Sequence, residues 1–519
     1  MKAWQTAVER NRYYDSVFLM AVAHRLSGFE GIEEAAALMG SPSNKEILLG
    51  MGADEASVAD ASPSDLIIAL RGDRDVVAGV LQDIEAWLVR PRTTLATSAA
   101  GSLDEALSRQ SASNLAVISV PGEYAAAETE AALDRGLNAF LFSDHVSVED
   151  EVALKKKAGE MGLIIMGPDC GTALIGGKGI GFANAVRRGP IGIVAASGTG
   201  LQEFACLVHQ SGLGISHGLG TGGRDLSDSV GGLSTLTAID ALEEDPETEV
   251  IAIVSKPPGE ATLRVISERL SQCAKPVVAC FLGVGEACPN GHGSFEVCGT
   301  IDDAVSAALR LAGGMGGELE GLDHSQLEAL AREEAGRMAA GQTYIRGLFA
   351  GGTFCYQAQS VLRDAGVTLH SNAPLEGVKS LGDSAASIGH SLVDMGADEF
   401  TVGTPHPMID ASRRAKRIAA EAEDPDVAVL LLDFILGFNA SNDPAGDLAD
   451  AVSSARRVAG SGGRHLCVVA SVCGTDEDPQ GLKSQIGILA EVGVHVFASN
   501  VRASSFARDV ILLRTTGGG

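Results

Sequence analysis

Three loops of this 519-residue chain carry residue types that can hold an anion. The first is Gly192-Ile-Val-Ala-Ala-Ser-Gly-Thr-Gly-Leu-Gln-Glu203, an apolar strand running into Ser197, Gly198 and Thr199 and then into a helix. Free N–H groups at a helix start, the positive end of the helix dipole and two hydroxyls suit a phosphate. The plainer reading is a helix capped by Ser197 or Thr199, with Glu203 nearby. The second loop, Gly218–Gly232, holds six glycines, with Gly220, Thr221 and Gly222 placed to line a ligand. Its Arg224 offers a fork for phosphate or carboxylate; the plainer reading is a flexible surface loop. The third, Leu430–Ala445, runs from an apolar strand into Gly437, Asn439 and Ser441, with Pro444 at a helix start. Alone it reads equally as a capped helix, but its likeness to the first loop favours phosphate.

Other residues could take part. Cys170 and Thr172 lie in Gly167-Pro-Asp-Cys-Gly-Thr172, after the apolar Leu163–Met166, and Cys473 lies in a second Cys-Gly-Thr. Such a cysteine is more often small, buried and inert than catalytic. Prolines flank His406 in Gly403-Thr-Pro-His-Pro-Met-Ile-Asp410, which pins it in non-helical backbone. That suits an acid/base or phosphate-contacting imidazole, with Asp410 to orient it; a structural turn is the rival. No Walker A pattern is present, and no Gly-x-Gly-x-x-Gly follows a first strand, so nicotinamide chemistry has little support.

Parallel sheets place such loops at the carboxyl ends of strands. Apolar runs at Leu115–Val120, Ala139–Phe142, Ile191–Ala195, Val250–Val254, Pro276–Phe281, Val427–Leu432, His465–Ala470 and Val494–Phe497 read as buried strands. Helices at Tyr124–Arg135 and Val148–Met161 fit between them. The first 95 residues read as a small α+β unit of ferredoxin or ACT type: strand Val17–Val22, helix Gly31–Met39, strand Leu66–Leu70, helix Val76–Leu88. The segments 96–187, 188–315 and 342–519 read as three α/β domains, with 316–341 a helical connector.

Composition bounds the function. With 64 glycines, 4% aromatic residues and a formal charge of −28, the chain suits a ligand-binding α/β protein. Bulk attraction for nucleic acid or an anionic membrane is not expected. Nine scattered cysteines with no CxxC predict reduced thiols, no disulfide framework and no metal site. Met1–Asp15 is too charged for a signal peptide and no apolar run reaches ~18 residues, so a soluble cytoplasmic protein is expected.

At these loops the sequence resembles the nucleotide-diphosphate-forming acyl-CoA synthetases, the superfamily of succinyl-CoA synthetase. Met166-Gly-Pro-Asp-Cys-Gly looks like a segment of that family's CoA-binding domain, and Ile193–Glu203 like its phosphate helix. Gly218–Gly232 matches its next glycine-rich loop, and Leu392-Val-Asp-Met-Gly with Leu430–Pro444 is similar to its partner subunit's ligase domain. Met39-Gly-Ser-Pro-Ser-Asn-Lys-Glu and Val402–Asp410 resemble the FdrA family. The resemblance implies a Rossmann-like CoA-binding-type domain and two flavodoxin-like ligase domains behind the small N-terminal one. It implies CoA, phosphate or an acyl phosphate as ligands, a small anionic substrate, further subunits and an oligomer. His292, in Gly291-His-Gly-Ser, stands nearest the family's phosphohistidine loop. No ATP-grasp domain is recognisable. Relatives of FdrA are linked to oxamate carbamoyltransferase in purine and allantoin breakdown, and the missing parts, an ATP-grasp domain and a full phosphohistidine loop, favour carbamoyl transfer over CoA ligation. The rival expectations are a CoA ligase completed by an ATP-grasp subunit and a metabolite-sensing scaffold.

Overall fold

The computed structural model describes residues 4–88, 100–283, 295–314, 324–401 and 404–516, except residues 13 and 15. The chain is α/β, with parallel sheets behind a small N-terminal α+β domain. That domain is an antiparallel sheet in the order Trp4–Glu9, Leu66–Gly72, Ile32–Met39. Two expected elements exchange type. Ser16–Ser27, expected as a strand, is a helix: Leu19, Val22, Ala23 and Leu26 are buried at helical spacing. Ile32–Met39, expected as a helix, is a strand paired with Leu66–Gly72. Its alanines favour helix locally, and cross-strand packing overrides them. The later elements, Leu66–Gly72 and the helices Arg74–Gln82 and Ile84–Trp87, follow expectation.

Leu115–Ile118, Asn138–Leu141 and Ile165–Met166 form a three-stranded parallel sheet. The hairpin Thr172–Ile175 and Lys178–Gly181, placed by sequence with this unit, instead pairs with Ile215–Gly220 in the next sheet. That seven-stranded sheet has Ile191–Ala195 at its centre, between Val250–Ser255 and Ile215–Gly220. A second seven-stranded sheet is built around Tyr344–Phe349, between His390–Asp394 and Val427–Ile435. The connector contains the helix His324–Arg337.

The two large sheets are joined through buried polar contacts. Glu203 accepts from the Asn500 N–H at 2.7 Å and from Gln357 Nε2 at 3.1 Å. Asp478 accepts from Asn184 Nδ2 and the Ala185 N–H, gripping the strap between the hairpin and Ile191. Unpaired, these groups would each be costly to bury. Satisfied, they fix how the two blocks face each other.

Candidate functional site

Strand Ile191–Ala195 runs through Ser197 into the helix Gly198–Gln210, and strand Tyr344–Phe349 runs through Gly351 into the helix Gly352–Asp364. The two helix starts touch. Ser197 Oγ hydrogen-bonds Thr353 Oγ1. A methyl on Gly351 would lie 3.2 Å from the Thr199 methyl, and one on Gly200 3.3 Å from the Thr353 methyl. Two helix dipoles therefore converge on one place. The glycines are required there because a Cβ would collide with the atoms packed around the junction, such as Phe354 Cδ2 at 2.8 Å from a Cβ on Gly351.

Charged groups surround it. A Cβ on Gly352 would lie 3.2 Å from Lys256 Nζ and 2.6 Å from Asp394 Oδ2. Lys256, just after strand Val250–Ser255, lies over the Tyr356 ring at 4.8 Å. Burial pushes the Asp394 carboxyl up to about 6 despite Lys256. Asp433 is fully buried, pairs with Arg414 at 2.9 Å and accepts from the Ala350 and Gly351 N–H groups. It thereby fixes the turn ahead of Gly352. Neither Lys256, Asp394 nor Gly351–Thr353 was singled out from sequence. The available signal was the repeated design, an apolar strand, then small residues, then a helix.

Ser197, Gly198, Thr199 and Thr172 do come together: a Cβ on Gly198 would lie 3.1 Å from Thr172 Oγ1. Ser197 Oγ accepts from the Gly200 N–H. Gly220 packs on Cys170, with a Cβ there only 2.5 Å from Sγ, and Gly222 packs on the Gly167–Pro168 backbone. Thr221 is buried and its carbonyl accepts from Lys155 Nζ. Burial pushes the Cys170 thiol up to about 12, so it is no thiolate. Cys473 is buried too, its sulfur 3.9 Å from that of Cys206.

Several expected roles need correction. Arg224 is not a free fork: it pairs with Glu151 at 2.9 Å and donates to the Val146 carbonyl. Its loop is not slack either, because buried Lys155 ties Asp225 to Glu151. Asp410 does not orient His406; its carboxylate meets His24 of the N-terminal domain at 3.3 Å and accepts from the Ser412 N–H. His406 Nδ1 accepts from the Met408 N–H, which leaves the ring proton on Nε2. That Nε2 lies 2.7 Å from a Cβ placed on Gly396, with Asp394 Oδ1 at 3.3 Å from the same point. Burial pushes His406 down to about 4, so near neutrality it is a hydrogen-bond donor and not an imidazolium acid.

The third loop is closed by protein side chains, two of them from the segment around the helix Leu482–Glu491. Gly437 N–H donates to Gln480, Ala445 N–H to Gln485 and Gly446 N–H to Asp443. Asn439, at φ +65, donates to the Gly181 carbonyl, and Ser441 Oγ donates to Asp447. His292 lies outside the described residues.

On the side of the three-stranded sheet, the site is acidic. Asp169, at φ +56, has its carboxyl pushed up to about 6 by loss of solvent and by the charges of Asp144 and Asp398. Among the described residues, no helix is long and apolar enough to cross a membrane.

Residues 348–510 match the CoA-ligase family, and residues 1–106 match the N-terminal heavy metal-associated domain of AllF. Residues 1–106 contain no cysteine and one histidine, His24, already engaged by Asp410. Without cysteine, that segment lacks the thiolates a soft metal takes. Protein YahF of Escherichia coli (strain K12) is 42% identical over 513 residues, 97% of this chain and 98% of the relative. The alpha subunit of the ADP-forming succinate–CoA ligase of Methanothermobacter thermautotrophicus is 31% identical over 208 residues, 38% of this chain and 69% of the subunit. Among solved structures, ATP citrate lyase from Methanothrix soehngenii is 14% identical with a TM-score of 0.36, covering 79% of this chain and 84% of that one. Two abutting glycine-rich helix starts, a CoA-ligase match over the second block and a ligase alpha subunit aligned at 31% place this chain in the succinyl-CoA synthetase superfamily.

Proposed function

We propose that the chain transfers an acyl group through an acyl phosphate held between the Gly198 and Gly352 helix starts, and that the group is a carbamoyl. The carrying observation is the junction itself. Two helix N-termini and Lys256 meet at one point, which suits a small dianion in an otherwise acidic protein. In the direction of phosphorolysis, a phosphate oxygen attacks the carbamoyl carbon of a small ureido acid of the oxalurate type. The carbon–nitrogen bond breaks, and the phosphate proton passes to the departing nitrogen, leaving carbamoyl phosphate and an oxamate-type amide. Helix N–H groups and Lys256 hold the phosphate. The His406 Nε2–H, which like Asp394 Oδ1 faces Gly396, donates to oxygen charge that develops on the carbonyl. Positioning and charge stabilisation carry the catalysis.

Asp144, Asp169 and Asp398 support the small-substrate reading. The negative charges that Asp169 feels from Asp144 and Asp398, offset in part by Lys256 and Arg224, disfavour a polyphosphate such as CoA more than a mono-anionic ureido acid. The test is phosphate-dependent release of carbamoyl phosphate from oxalurate, by the chain alone and with co-expressed subunits. The reading fails if no combination releases it while CoA thioester forms. A second reading, CoA ligation with a separate ATP-grasp subunit, rests on the CoA-ligase match over residues 348–510. It requires phosphate on His292 after incubation with ATP and the partner, and it fails if His292→Ala leaves thioester formation intact.

A further inference from the structure

At the opposite end of the last sheet, three distant segments bring together donors that a purely structural contact would not need. The connector helix His324–Arg337 buries Glu334 against the face that carries Cys467 and His495. His495 opens its strand in register with Val469, two residues beyond Cys467, so the cysteine and histidine share that face. His465 is fixed through its backbone: its N–H donates to buried Gln342 at 3.0 Å, and its carbonyl accepts from the same amide at 2.8 Å. Its Nε2 lies 2.7 Å from Glu334 Oε2. His495 Nε2 lies 3.4 Å from Glu334 Oε1. The donor atoms of Glu334, Cys467 and His495 all lie within 4.8 Å of one another.

A carboxylate clamp would require one basic partner. Here a carboxylate meets two imidazoles and a thiol, while Arg337 also reaches Glu334 Oε1, the oxygen that faces His495, at 2.9 Å. Carboxylate, imidazole and thiolate together are the donors of a borderline-soft divalent cation. We propose that Glu334, Cys467 and His495 bind a zinc-type divalent cation, with His465 orienting the Glu334 carboxylate. Zinc–ligand distances of ~2.0–2.3 Å need donors closer together than they stand here, an adjustment of about 1 Å through side-chain rotation. Cys467 gives up its thiol proton on binding. The hydrogen bond from His465 is the outer contact that holds a ligating carboxylate in place. The bound ion would clasp the connector helix to the last two strands.

The test uses the full chain, stripped with a chelator and titrated with Co2+. One equivalent should bind with a thiolate-to-cobalt charge-transfer band, be displaced by Zn2+ and raise Tm. Cys467→Ser should lose the band, and His495→Ala should lose tight binding. His465→Ala should keep the band while weakening affinity about 10- to 100-fold. Absence of any cobalt band overturns the proposal. So does a band that survives in Cys467→Ser, because another of the nine cysteines would then be the ligand. Should Cys467→Ser fail to give the native far-UV circular dichroism, half-buried His495 decides: unchanged affinity in His495→Ala contradicts the site.

Discussion

Two helices of the last large sheet start on loops that follow apolar strands, and they treat their N–H groups in opposite ways. At Pro444–Ser461, proline has no N–H, and Ala445 and Gly446 donate to Gln485 and Asp443. That start is closed. At Gly352–Asp364, the preceding Gly351 supplies no side-chain cap, and Asp433 takes only the Ala350 and Gly351 N–H groups ahead of the helix. That start is open, and it faces Ser197, Lys256 and Asp394. Good capping residues are acceptors, so they compete with an anion for the N–H groups. A loop rich in Asn, Asp and Ser therefore marks a satisfied helix. A loop of small residues without its own acceptor marks one left for a ligand.

The largest expected effect falls on the open start. Lys256→Met should cut phosphate-dependent turnover about 100-fold, the scale of losing one preorganised charge contact, with native circular dichroism retained. Steady-state kinetics that match the parent would remove Lys256 from the site.

Anion affinity should also depend on pH through Asp394. Its carboxyl titrates near 6, so acidification from pH 7.5 to 5 neutralises a negative charge beside Gly352. Sulfate, a dianion throughout that range, should bind more tightly at pH 5 by calorimetry. Asp394→Asn should bind sulfate more tightly than the parent at pH 7.5 and gain less on acidification, keeping only the part that Asp169 contributes. A variant that keeps the parent's pH dependence would assign it to another group.

The junction between the blocks gives a smaller, structural effect. Burial, with Asp302 nearby, pushes Glu203 up to about 8 from 4.5. With the folded value above the free one, its neutral form contributes stability that is complete below about 4.5 and lost as pH rises through about 8. Glu203→Gln should therefore raise Tm at pH 9 by at least about 2 °C and leave it unchanged at pH 4. Equal Tm values at both pH settings would mean that Glu203 is charged in the fold. The smallest effect belongs to the closed loop. Asn439→Ala removes a contact to the Gly181 carbonyl, and turnover should stay within about twofold of the parent. A loss comparable to that of Lys256→Met would reverse the comparison.

Much of the fold was legible because buried parallel strands announce themselves as apolar runs: Ile191–Ala195 and Val427–Ile435 are buried throughout. Ser16–Ser27 and Ile32–Met39 were misread because short segments rich in Ala, Leu and Val satisfy either period until a partner strand is present. Ser197 and Gly198 were legible from strand, loop and helix in succession. Gly352 and Lys256 were not: Ala350-Gly-Gly-Thr carries no conspicuous polar residue, and Lys256 acquires meaning only when the second sheet brings Gly352 to it. Asp410 shows the converse. Four positions from His406 in sequence, it bonds His24 from another domain. The Glu334, Cys467 and His495 cluster has no spacing signature because its members come from three separate elements.

One anion is expected where the Gly352 helix start, which has no side-chain cap, meets the Ser197-capped start of the Gly198 helix. The most direct measurement is a crystal structure of the full chain soaked in sulfate or phosphate. A tetrahedral anion is expected between the backbone of Gly198 and Gly352, within reach of Lys256 Nζ. An anion bound instead at Gly437–Ser441, with the Gly198–Gly352 junction filled by water, would contradict it.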